Sequence, residues 1–135
     1  MLRVYCESDI PFIRFKKGYE IWRFEDMKKV KITVLHKEFY PDYADTYLTD
    51  GKAVGRCPLL EVGDEFIYEG SAKMPEGFCP WAWIDIYRSV SAMSSGSSCK
   101  PWNNTDGQTI VCCTDGIRPV VFNVEAIGEN DVDIE

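Results

Sequence analysis

The chain has 135 residues, of which 45% are hydrophobic and 13% aromatic, and its formal net charge at pH 7 is −7. This length fits one domain with a core that needs no disulfide bridges, and the composition excludes a wholly disordered chain. Nucleic-acid binding is not expected, because phosphate binding needs a basic balance. Membrane insertion is not expected either, because no apolar run approaches the roughly 18 residues of a spanning helix.

Residues 1–26 are predicted to be an N-terminal arm or extension. Glu7 and Asp9 fall where a signal peptide needs an uninterrupted apolar stretch, so we expect a cytoplasmic protein. Basic and aromatic residues mix in "RFKKGYEIWRF", residues 14–24, as in single-strand binders, but the pattern is more typical of a strand with one exposed face. Met27 then opens "MKKVKITVL", which reads like the beginning of a protein.

Residues 27–127 are predicted to form a single α+β domain. Period-two alternation indicates strands at 30–36, 65–69, 108–113 and 118–127, with a turn or short helix after Pro41. The second of two "TDG" stretches, residues 114–116, predicts a hairpin in which Asp-Gly supplies positive φ. We expect an antiparallel sheet, open or barrel-like, with one main helix packed on it. Residues 128–135 are expected to be an acidic, solvated tail.

The main helix is predicted near residues 80–94, before the helix-breaking stretch "SSGSS". Asp85 and Arg88 suit its exposed face. The opposite face has apolar residues at the helical period: Trp83, Ile86, Tyr87, Val90 and Met93.

Cys79 is expected at the N-cap of this helix. Pro80 favours the first helical position and pushes the preceding residue out of the helical conformation. Free N–H groups and the positive end of the helix dipole favour a thiolate there, and the thiolate is the nucleophilic and metal-binding form of cysteine. The bulky apolar neighbours Phe78, Trp81 and Trp83 oppose this effect.

Six cysteines without an export signal are more typical of metal or redox sites than of disulfides. The predicted metal site consists of Cys57, Cys79, Cys112 and Cys113. Four thiolates suffice for zinc or an iron–sulfur cluster, although paired C-x2-C motifs are missing. Neighbouring strand residues face opposite sides, so Cys112 and Cys113 reach one ion only if the strand bulges or ends between them. The alternative is that these cysteines only pack the core.

Four further residues are candidates for binding: Trp81, Trp83, Asp115 and Arg118. Tryptophan surfaces would suit a noncatalytic ligand- or protein-binding module, although aromatic residues usually belong to the core. The simpler explanation is that Asp115 stabilises a turn and that Arg118 is a surface charge. An enzyme with Cys79 as nucleophile lacks an evident base, and the single histidine, His36, is expected to be structural or solvated. The sequence assigns no reaction and leaves a small-molecule partner, a protein partner and a homo-oligomer open.

Three stretches, "CPLLEVGDEFI", "MPEGFCPWAWIDIY" and "CCTDGIRPVVFNVE", with "KVKITVL" before them, resemble an uncharacterised family of small bacterial and archaeal proteins. The resemblance covers residues 27–127, rests on the patterns GFCxWAW and CCTDGxRPVVF, and leaves out residues 1–26. Its motifs contain all four cysteines of the predicted metal site, whereas Cys6 lies outside them. The resemblance implies a standalone cytoplasmic protein of a prokaryote and carries no established activity.

Overall fold

The computed structural model describes residues 27–128, so the predictions of an N-terminal arm and of an acidic tail lie outside it, except for Gly128. The elements in chain order are β1 (Lys29–Lys37), α1 (Pro41–Tyr47), a short 3-10 helix (Gly51–Val54), β2 (Glu65–Tyr68), α2 (Pro80–Ser94), β3 (Gln108–Cys112) and β4 (Val120–Ile127). The predicted α+β class is confirmed. The main helix has the predicted bounds.

The four strands form one antiparallel sheet in the order β2-β1-β4-β3. The long strands β1 and β4 are central, and their register sets Ile32 opposite Val124 and Val34 opposite Phe122. The short strands β2 and β3 each pair on one side only within residues 27–128. A barrel requires the two outermost strands to pair with each other, so the sheet is open and the barrel-like alternative is wrong.

Alternation in the central strands places their apolar side chains on the face that α2 covers. The buried strand residues are Val30, Ile32, Val34, Val120, Phe122 and Val124. The helix contributes Ala82, Ile86, Val90 and Met93 to the same core. This layer fixes where α2 begins, and therefore where its N-terminal residues lie relative to β4.

The predicted helical face is confirmed for its three aliphatic residues, whereas Trp83 and Tyr87 are only half-buried. These two rings pack against each other with centroids 5.1 Å apart, and Trp83 also packs on Tyr68 of β2 at 5.7 Å. Phe78 closes the cluster with an edge contact to Trp83. Trp83 is therefore part of a structural aromatic cluster that joins α2 to β2.

The C-terminal end of α2 is tied to the beginning of β1. The Lys28 N–H donates to the Ser94 carbonyl at 2.9 Å, and the buried Ser94 hydroxyl donates to the Lys28 carbonyl at 2.7 Å. Within residues 27–128, no helix combines the length and apolar character needed to cross a membrane.

The hairpin between β3 and β4 is confirmed, but its turn differs from the prediction. Residues 113–119 connect the strands, and the φ of Gly116 lies outside the left-handed region, so no tight Asp-Gly turn forms. The Asp115 carboxylate instead accepts the N–H groups of Ile117 at 2.9 Å and Arg118 at 3.0 Å. The side chain of the Asp, rather than the flexibility of the Gly, shapes this loop.

Truncation of Ile86 to alanine is expected to lower the free energy of unfolding by about 2–5 kcal/mol, because it leaves a void in a close-packed core. Ile84 provides a matched control in the same helix, since it is 79% exposed. Ile84→Ala should change the free energy of unfolding by no more than about 0.5 kcal/mol. Urea unfolding of both variants measures the difference, and equal losses would contradict the packing of α2.

Candidate functional site

A cavity of 440 Å³ lies beside the N-terminus of α2. Its volume falls in the range of about 300–1,000 Å³ that is usual for small-molecule sites. Three cysteines line it, and we call it the thiol cavity. Of the eight residues predicted as site residues, six line the cavity: Cys57, Cys79, Cys113, Trp81, Asp115 and Arg118. Two loops far apart in the chain and the N-terminal end of α2 thus bring most of the predicted residues together.

Cys79 is the N-cap of α2, as predicted from Pro80. Its backbone is extended, with φ −71° and ψ 120°, and its carbonyl accepts the N–H of Trp83 at 2.9 Å. No side chain caps this helix end among residues 27–128. Cys79 is half-buried, so its thiol combines access from the cavity with a position at the positive end of the helix dipole.

Cys112 and Cys113 lie on opposite faces of the hairpin. β3 ends at Cys112, which is exposed and outside the thiol cavity. Cys113 is only 8% exposed, and its N–H donates to the Val120 carbonyl at 3.1 Å. The N–H of Val120 donates in return to the Cys113 sulfur at 3.3 Å. The strand therefore ends between the two cysteines, but this ending turns only Cys113 towards the cavity.

Cys57 reaches the cavity from the loop that precedes β2. The ammonium group of Lys37, on β1, donates to the Cys57 carbonyl at 3.0 Å and lies 3.3 Å from the Glu61 carboxylate. Arg56 adds a third link, because its Nε donates to the Lys37 carbonyl at 3.1 Å. These contacts hold the loop against the end of β1, with the Cys57 side chain half-buried at the edge of the core.

The thiols in residues 27–128 are all free, at positions 57, 79, 99, 112 and 113. Within the same range, no group of three or more His, Cys, Asp or Glu side chains has an arrangement that could hold a metal ion. Zinc or an iron–sulfur cluster bound by Cys57, Cys79, Cys112 and Cys113 therefore stays a prediction. The thiol cavity contains three of its four proposed ligands.

Asp115 and Arg118 form the charged part of the cavity wall. Besides the two backbone N–H groups, the Arg118 Nε donates to the Asp115 carboxylate at 3.4 Å. Partial burial raises the pKa of this carboxyl, but the N–H groups of Arg118 and Ile117 and the guanidinium outweigh burial and hold its pKa below the usual value. Asp115 is thus an ionised anchor for the loop, and it orients Arg118.

Asp85 has a structural role that the sequence pattern does not indicate. The helical pattern places it only on the exposed face of α2, but its carboxylate accepts the N–H of Thr114 at 2.8 Å and the Thr114 hydroxyl at 3.0 Å. This contact ties α2 to the loop directly after Cys113. The two residues are 29 positions apart in the chain, and no local pattern indicates that they meet.

The two tryptophans of α2 differ in position, since Trp81 lines the cavity and Trp83 does not. Trp81 is 65% exposed at its mouth, and Leu59 is 66% exposed beside it. His36 lies outside the cavity, is exposed and lies 3.1 Å from the Glu38 carboxylate. It contributes no base to the cavity.

Neither known protein-family models, nor curated proteins, nor solved structures match this chain. The resemblance to a bacterial and archaeal family stays a prediction. The geometry of the thiol cavity is therefore the basis for any functional assignment.

Cys113 and Cys112 form a natural pair of variant and control. Cys113→Ala is expected to lower the free energy of unfolding by about 1–3 kcal/mol, because it removes a buried side chain and leaves the Val120 N–H unsatisfied. Cys112→Ala should change it by no more than about 0.5 kcal/mol, since Cys112 is exposed. Urea unfolding under reducing conditions gives both values. A larger loss of unfolding free energy for Cys112→Ala than for Cys113→Ala would contradict the placement of Cys112 on the exposed face of the hairpin and of Cys113 on the buried face.

The stability of the fold in acid is expected to depend on Asp115. The pKa of this carboxyl is lower in the folded protein than in the unfolded chain. Its contribution is therefore fully present above the unfolded pKa of about 3.9 and is lost as the pH falls through the folded value. The free energy of unfolding should be higher for the wild type than for Asp115→Asn near neutral pH. This difference should shrink below about pH 4, whereas a difference independent of pH would contradict the account.

Proposed function

We propose that the thiol cavity is a reactive-thiol site in which Cys79 acts as a redox thiol towards a small molecule. The observation that carries the proposal is that three cysteines line one cavity, although Cys57 and Cys79 are 22 positions apart and Cys79 and Cys113 are 34 positions apart. Free cysteines often pack cores singly, and packing alone does not require three of them to line the same opening.

Cys79 is the best candidate for the attacking thiol. Cys79 lies at the N-terminus of α2, the positive end of the helix dipole, and thiolates are the reactive form of cysteine. Its half-buried position leaves it accessible to a ligand, in contrast to Cys113 in the core. Cys113 and Cys57 are the other two thiols of the cavity wall, and we propose that one of them reacts with an adduct formed on Cys79.

The chemistry that suits this arrangement is thiol–disulfide exchange with a low-molecular-weight disulfide. The Cys79 thiolate forms a bond to one sulfur of the disulfide, the original S–S bond breaks, and its electron pair leaves with the other sulfur as a thiolate. A second thiolate of the cavity then attacks the Cys79 sulfur and expels the remaining half of the reagent as a thiolate. The small disulfide is reduced by two electrons, and the two protein thiols are oxidised to a disulfide.

We also propose that the protein works in the cytoplasm of a prokaryote. Thiols remain reduced in the cytoplasm, so a redox thiol fits the cytoplasmic, prokaryotic origin expected from the sequence.

The second candidate function is noncatalytic binding of a ligand or protein. Exposed apolar side chains at the mouth of the cavity favour it, namely Trp81 and Leu59. Large exposed apolar side chains are enriched at binding surfaces, and tryptophan is prominent among residues that dominate binding energies. In this case the thiols would be part of the cavity wall without reacting.

Selective alkylation separates the two functions. The protein is purified without oxygen and treated with a limiting amount of iodoacetamide, and modification of each cysteine is followed by peptide mass spectrometry. Cys79 should react about tenfold faster than Cys99, because it opens onto the thiol cavity at the N-terminus of α2 and Cys99 does not. Cys99 is the matched control, since it is also half-buried but lies outside the cavity.

A Cys79 rate equal to or below that of Cys99 would contradict the redox proposal and leave the binding function. Metal analysis of the same sample tests the remaining alternative. Stoichiometric zinc or iron that is lost in Cys79→Ser would assign the cysteines to a metal site instead.

A further inference from the structure

We infer that the thiol cavity selects a small organic anion, a carboxylate-bearing molecule whose charged group binds Arg118 and whose apolar body lies against the cavity floor. This inference rests on the proposed function, because it names the class of molecule presented to Cys79. The cavity wall contains one guanidinium, one carboxylate and an apolar floor.

The Arg118 guanidinium has N–H donors that its contact with Asp115 does not use. Its side chain is 33% exposed, and its one side-chain hydrogen bond within residues 27–128 runs from Nε to Asp115 at the long distance of 3.4 Å. A guanidinium carries five N–H donors in a planar fork that matches a carboxylate. The terminal nitrogens are therefore free to bind an anion that enters the cavity.

Asp115 offsets part of this charge, but it engages only the Nε edge of the guanidinium. Its carboxylate already accepts three hydrogen bonds, from the N–H groups of Ile117 and Arg118 and from the Arg118 Nε. These contacts direct its oxygens into the loop, where they hold the guanidinium in place. Asp115 is thus a positioning residue for Arg118.

The apolar floor and the N-terminus of α2 determine which other groups the ligand carries. Leu60, Ala82 and Phe122 are buried and line the cavity, so they present an apolar floor. The N-terminus of α2 adds a partial positive charge on the side where Cys79 lies. A molecule that combines an apolar or sulfur-containing body with one carboxylate satisfies both parts of the wall. A neutral molecule does not engage the charge on the terminal nitrogens of the guanidinium.

A pair of reagents that differ only in charge tests this inference. Iodoacetamide and iodoacetate react by the same step, in which the thiolate sulfur displaces iodide and iodide leaves with the electrons of the carbon–iodine bond. A thiolate in water reacts more slowly with iodoacetate, because the two charges repel each other. The readout is the ratio of the iodoacetate rate constant to the iodoacetamide rate constant at each cysteine, measured by peptide mass spectrometry.

The ratio at Cys79 is expected to exceed the ratio at Cys99 by about threefold to tenfold, the effect of one partly exposed charge. Arg118→Gln should reduce the Cys79 ratio to the level of Cys99. Arg118→Lys should retain part of the preference, because lysine keeps the charge and loses the fork. Arg88→Gln is the control for net charge, since Arg88 is exposed on α2 and lies outside the cavity, and it should leave the ratio unchanged.

The outcomes separate the two proposals. Slow reaction of Cys79 with both reagents would overturn the redox function itself. Rapid reaction with iodoacetamide, combined with a ratio equal to that of Cys99, would leave the reactive thiol in place and overturn the selection of anions. The comparison of Cys79 with Cys99 is made within the wild-type chain, so an equal ratio overturns the selection of anions even if Arg118→Gln fails to fold. In that case Arg118→Lys tests whether a raised ratio at Cys79 depends on the guanidinium.

Discussion

The hydrogen bonds between the Asp85 carboxylate and Thr114 are the contact on which the thiol cavity depends. They join the first half of α2 to the loop that leaves β3, while the pair formed by Ser94 and Lys28 joins the other end of the helix to β1. A helix fixed at both ends cannot rotate or slide on the sheet without breaking one of these contacts. Cys113, next to Thr114, is therefore held beside the helix N-terminus.

The cavity places reactive groups in an otherwise conventional two-layer core. The backbone N–H of Val120 at the beginning of β4 is satisfied by the Cys113 sulfur, so this thiol serves the hydrogen bonding of the hairpin as well as the cavity wall. Asp115 likewise both closes the loop and orients Arg118. Because the same side chains stabilise the fold and line the site, substitutions there are expected to affect both properties, and matched controls on neighbouring residues separate them.

Local rules predict much of the fold from the sequence, because they act over a few residues. Pro80 places Cys79 at the N-cap, the helical period gives the bounds of α2, and strand alternation separates Cys112 from Cys113. The convergence of Cys57, Cys79 and Cys113 depends instead on the packing of a helix, a loop and a hairpin, which no single segment encodes. The open edges of the sheet, the outward position of Trp81 and the contact between Asp85 and Thr114 are likewise tertiary properties.

The most direct test of the central claim asks whether the thiols share one cavity. Cys79 is first modified with N-phenylmaleimide, which is bulky enough to occupy much of the cavity, and the rates of iodoacetamide modification of Cys57 and Cys112 are then measured. Both cysteines are compared with the same positions in Cys79→Ala. The account predicts that Cys57 becomes several-fold slower while Cys112, on the other face of the hairpin, keeps its rate. Unchanged reactivity of Cys57 after modification of Cys79 would contradict it.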